Sequence, residues 1–129
     1  MSNEWDKLFS AARGVIKPRK VSDSMEVGSV GAAMLTKSGS IYTGICIDTG
    51  SSLGMCAERN ALSSMLTNGE YEVTKVCAVY QDGTVMPPCG ACREFMMQLG
   101  GDVKNTEVLV NNQGKTVKLC ELMPEYPYN

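Results

Sequence analysis

Apolar residues recur three and four positions apart at the start of the chain: Trp5, Leu8, Phe9, Ala12, Val15 and Ile16. That spacing gathers them on one face of an amphipathic helix. Pro18 has no N–H to continue the ladder, so the helix is expected to close before it. A linker is expected to about Asp23. Val27 to Thr36 and Ile41 to Ile47 are rich in strand formers, and Lys37-Ser38-Gly39-Ser40 between them reads as a hairpin connection. Asp48 to Gly54 is a polar, glycine-bearing loop that delivers Cys56 to the start of a helix running to about Thr67, where Asn68-Gly69 suits a helix end. Val73 to Tyr80 predicts a third strand.

After Asp82-Gly83 and Pro87-Pro88, a helix from about Gly90 to Leu99 is expected to stop at Gly100-Gly101. Thr106 to Val110 and Lys115 to Lys118 read as the last strands, followed by a short helix near Leu119 to Leu122. Helices alternating with strands in this order predict an α/β fold, a three-layer α/β/α sandwich around a mixed five-stranded sheet. The pattern contains no internal repeat and no point where a second domain begins, so residues 1–129 are expected to form one domain.

Composition narrows the function classes. A net charge of −2 leaves no basic footprint, and Lys17-Pro18-Arg19-Lys20 reads as a solvated loop, so a nucleic-acid polymer is an unsuitable partner. Neither a signal core at the amino terminus nor a membrane-length apolar run is visible, and a cytoplasmic location is expected. Cysteines are normally reduced there, so the six in this chain suit metal ligands and buried thiols better than a disulfide framework.

The chemistry concentrates in two short words, Cys56-Ala57-Glu58-Arg59 and Pro88-Cys89-Gly90-Ala91-Cys92-Arg93. Three thiols can hold zinc and leave its fourth position open, whereas a structural site normally fills all four. The chain has no histidine, so Cys56, Cys89 and Cys92 are the candidate ligands. Glu58, two residues after Cys56, is the candidate proton shuttle; its plain alternative is a first-turn acid favoured by the helix dipole. Each cysteine lies near a helix start, which favours thiolates. Three thiolates overshoot the dication, so Arg59 and Arg93 are expected to donate hydrogen bonds to the sulfurs; otherwise they are solvated helix residues. Cys46, Cys77 and Cys120 fall in apolar segments and read as packing.

A ligand-x-Glu unit followed by Pro-Cys-x-x-Cys is the pattern of zinc nucleoside deaminases. The words Cys-Ala-Glu-Arg-Asn-Ala and Pro-Cys-Gly-Ala-Cys-Arg, with the 33-residue step from Cys56 to Cys89, resemble the small all-cysteine cytidine deaminases. Val30 to Leu35 and Tyr42-Thr43-Gly44 resemble that family's first hairpin, extending the likeness over most of residues 26 to 125. The resemblance implies hydrolytic deamination of a free cytosine nucleoside in pyrimidine salvage, backbone contacts to the base around Ala57 and Pro87, and a homotetramer. It also exposes departures. Where the family carries an Asn-x-Glu that holds the ribose, this chain has Cys46-Ile47-Asp48, and Gly28 replaces an aromatic residue. Asp48 can reach a sugar hydroxyl or pair with a cationic substituent, as in an aminonucleoside of the blasticidin S kind. For Tyr126 and Tyr128, closure over a pocket and an idle exposed tail are both open. Two further classes stand beside the enzyme: a zinc- and nucleoside-binding module without turnover, and a thiol redox protein using Cys89 and Cys92.

Overall fold

The computed structural model describes residues 2–128. Helix α1 spans Asn3–Gly14; the Ser2 side chain accepts a hydrogen bond from the Trp5 N–H, supplying the cap. Trp5, Leu8 and Ala12 bury its apolar stripe. Val15 and Ile16 lie beyond the helix: Gly14 weakens the last turn, and the Ile16 N–H bonds back to the Arg13 carbonyl instead.

Strands β1 (Arg19–Ser22), β2 (Met25–Thr36), β3 (Ile41–Thr49), β4 (Val73–Tyr80), β5 (Glu107–Leu109) and β6 (Thr116–Lys118) form one mixed sheet. Among the described residues it therefore has six strands where five were expected. The addition is β1, in the expected linker; every residue of it is exposed, so it has no apolar alternation to betray it. β2 pairs antiparallel with β3 along one side and with β1 and β4 along the other, while β4 and β5 form the parallel pair.

Side-chain alternation sorts the central strands between two cores. Ala33, Leu35, Cys77, Val79 and Leu109 face α1. Met34, Val76 and Val108 face the other way, where they meet Ala61, Leu62 and Met65 of helix α2 (Ala57–Thr67) and Met96 and Met97 of helix α3 (Gly90–Met97). This is the three-layer sandwich. Tight 3₁₀ turns cover Val103–Asn105 and Leu119–Leu122, the second coinciding with the expected short helix.

Two contacts seat α2 on the sheet. At Gly44 a Cβ would lie 2.4 Å from the Ala61 nitrogen and 2.7 Å from the Ala57 carbonyl oxygen, so only glycine permits this approach. Asn60 Nδ2 donates to the Ile45 carbonyl at 3.0 Å. Beneath the start of α2, Ala32, Cys46, Ala57 and Ala78 form a cluster of small residues that lets the helix end sit deep. No helix among the described residues is long and apolar enough to cross a membrane.

Candidate active site

Two loops return to the sheet just before the chemistry-bearing residues. Ile47 and Met55 exchange backbone hydrogen bonds of 2.9 and 3.0 Å, closing the loop that ends at Cys56. Val79 and Val85 also face each other across an antiparallel bridge, held by their neighbours: the Tyr80 N–H donates to the Thr84 carbonyl and the Met86 N–H to the Ala78 carbonyl, both at 2.8 Å, aiming the chain at Cys89. Cys56 caps α2 and Cys89 caps α3, with Cys92 in the first turn of α3. The three sulfurs lie within 4.8 Å of one another, and Cys56 and Cys89 approach to 3.2 Å. Among the described residues this is the one cluster of three or more metal-ligating side chains. Cys46 and Cys77 are buried and Cys120 half-buried, outside it.

The cleft beside the thiols has a volume of about 450 Å³, within the usual range for small-molecule sites. Its walls carry Ser29, Cys46, Asp48, Cys56, Ala57, Glu58, Arg59, Pro87 and Cys89. All four expected substrate-contacting positions, Cys46, Asp48, Ala57 and Pro87, thus face the same space as Glu58. Ser29, which sequence reasoning missed, faces it too. No motif marked that serine, because its place depends on a local irregularity of β2.

Glu58 is 4 % exposed, and burial pushes its carboxyl above the usual carboxylate range against the pull of its own backbone N–H and of Arg59. Helix starts alone predict depressed thiol pKa values, but burial counters them: it pushes Cys56 and, more strongly, Cys92 up. Cys89 moves the other way; burial opposes the shift, but hydrogen bonds from the Cys92 backbone N–H and from the Cys56 and Cys92 thiols outweigh it.

The two arginines divide. Arg59 Nη2 reaches Cys56 Sγ at 4.0 Å, and this contact chiefly raises the guanidinium pKa, with Cys92 adding to it. Its buried Nε has no hydrogen-bond partner among the described residues. Arg93 does not donate to sulfur. Its Nε donates to the Pro88 carbonyl at 2.8 Å and its Nη1 to the Leu122 carbonyl at 3.3 Å. Helical side chains lean toward the preceding turn, which carries Arg93 back over the Pro88 loop and away from the cluster. Arg93 therefore ties that loop to the 3₁₀ turn Leu119–Leu122. The tail lies apart from the cleft walls: Tyr126 bonds to Gln98 Nε2 at 2.5 Å, and Tyr128 packs edge-on against Tyr126.

Three soft sulfur donors, a cation beside them and one side open toward the cleft fit a zinc ion with a free position. With a buried carboxyl in that same cleft, the fold and site define a hydrolytic metalloenzyme class. The family model for the cytidine and deoxycytidylate deaminase zinc-binding region matches residues 4–110. The chain is 38% identical over 99 residues to a cytidine deaminase of Halalkalibacterium halodurans, with 74% of each chain covered. It is 35% identical over 106 residues to a blasticidin-S deaminase of Bacillus cereus, again over 74% of each. The crystal structure of cytidine deaminase from Mycobacterium leprae superposes with a TM-score of 0.78 at 26% identity, covering 97% of this chain and 100% of that one. The protein belongs to the zinc-dependent cytidine and deoxycytidylate deaminase family.

Proposed function

We propose that the protein deaminates a free cytosine nucleoside, cytidine or deoxycytidine, yielding the uracil nucleoside and ammonia. The observation that carries this reading is that Glu58, buried and lining the cleft, faces the same space as Cys56 and Cys89, whose sulfurs cluster with that of the buried Cys92. Cys56, Cys89 and Cys92 hold the metal, which when bound supplies Lewis-acid activation of water. Glu58 accepts a proton from the attacking water and passes it to the ring nitrogen. It then delivers the second water proton to the departing amine, so that the water oxygen becomes the new carbonyl and ammonia leaves. Burial raises its pKa, which favours a group that must give protons as well as take them. Arg59 offsets thiolate charge, and the backbone at Ala57 and Pro87 positions the base and its amino group.

A second reading, deamination of a modified cytosine nucleoside, is favoured by Asp48, an exposed cleft carboxylate that makes no ion pair among the described residues. The similarity to a blasticidin-S deaminase supports it. A single domain over residues 1–129, a homo-oligomer, a place in pyrimidine salvage and a cytoplasmic setting complete the proposal; the last suits six free thiols. Ammonia release from cytidine, deoxycytidine and blasticidin S tests it and separates the two substrates.

A further inference from the structure

Between Val27 and Gly31 the register of β2 against β3 shifts. Gly28 sits there at φ 87°, with its carbonyl accepting the Lys17 N–H at 3.0 Å. A regular strand sends successive side chains to opposite faces. The consecutive residues Ser29 and Val30, which lie within this irregular stretch, both line the cleft. A neighbouring groove of about 240 Å³ along β1 shares Ser29 and Asp48 with the cleft, so these two residues stand at its outer end.

The sulfur of Cys46 lies between them and is already committed. It accepts the Val30 N–H at 3.3 Å, lies 3.2 Å from Ser29 Oγ, and faces Asp48 Oδ2 at 3.9 Å. Cys46 is 7% exposed. Ser29 is half-buried, and its hydroxyl has more capacity than one contact consumes. The Cys46 thiol donates its one proton toward Asp48, so Ser29 donates to the sulfur and its oxygen can still accept.

We infer that Ser29, together with Asp48, binds a sugar hydroxyl of the substrate, and that Cys46 positions these two residues rather than touching substrate. The inference rests on the nucleoside reading of the cleft. The direct test is titration calorimetry of the zinc-loaded protein with uridine and with 1-methyluracil, which keeps the base and lacks the sugar. Ser29→Ala is expected to weaken uridine about tenfold while leaving 1-methyluracil within about twofold. Ser29→Thr, which keeps the hydroxyl, restores most of the difference. Equal losses for both ligands, or no loss for uridine, would overturn the inference. If the wild-type protein binds uridine but releases no ammonia from any cytosine compound, the proposed function fails and the binding comparison still decides the role of Ser29. If it binds neither ligand, both fail.

Discussion

The sulfurs of Cys56 and Cys89 lie 3.2 Å apart although 33 positions separate them. The contact exists because two return loops, bridged at Ile47–Met55 and Val79–Val85, bring two helix starts to one point. Zinc-loaded protein is expected to protect these thiols and Cys92 from a thiol reagent until a chelator is added. Titration with and without chelator checks this; free reaction of Cys89 and Cys92 in metal-loaded protein would refute the ligand set. Arg59→Ala, which removes the neighbour of Cys56 Sγ, should weaken metal binding by about 10–100-fold.

Glu58 must be ionised to take a proton, and burial raises its pKa. The acid limb of kcat against pH should therefore lie above the ordinary glutamate value of about 4.3. Glu58→Gln should lower kcat by about 10²–10⁴-fold while retaining metal. A raised folded-state pKa means that the native state holds the proton more tightly; the associated stability is present below the unfolded pKa and lost as pH rises through the folded one. Metal-free Glu58→Gln should accordingly melt above metal-free wild type at pH 7, with the gap closing toward pH 4.

Gly28 stands where the family resemblance implies an aromatic residue. A Cβ there would lie 2.2 Å from the Lys17 carbonyl oxygen, at a positive φ. Restoring a side chain should not rebuild an aromatic wall. Gly28→Ala is expected to cost about 1–3 kcal/mol, read as a lowered Tm, and Gly28→Phe at least as much.

Glu70 accepts hydrogen bonds from Ser38 and from Tyr42 Oη, the latter at 2.6 Å. These partners, Ser38 first, lower its pKa to about 2. A depressed carboxylate contributes stability that is present above the unfolded pKa and lost as pH falls through the folded value. Glu70→Gln should be less stable than wild type at pH 6, and the difference should shrink as pH approaches 2. A difference in Tm that does not change with pH would contradict this.

The elements that bury an apolar face were legible in the sequence: the α1 stripe of Trp5, Leu8 and Ala12, the β2–β3 hairpin and β4. β1 escaped because Arg19–Ser22 is exposed throughout and gains its pairing from backbone alone. At the site, residue type and spacing singled out Cys56, Cys89 and Cys92, whose sulfurs the fold brings within 4.8 Å of one another, and Glu58, which lines the cleft beside them. They did not place Arg93: being next to a candidate ligand says little about where a long side chain turns, and two carbonyls, one of them from the 3₁₀ turn Leu119–Leu122, captured it. Ser29 was invisible for a different reason. A serine beside a glycine carries no motif, and only the register shift at Gly28 turns it toward the cleft.

The central claim is that this cleft deaminates a cytosine nucleoside through Glu58. The most direct measurement is ammonia release by zinc-loaded protein across cytidine, deoxycytidine, cytosine and blasticidin S, with Glu58→Ala as the blank. The expected result is turnover of at least one nucleoside, abolished by the substitution and by chelation. Full metal content and nucleoside binding without ammonia from any of the four, or ammonia release undiminished in Glu58→Ala, would contradict the account.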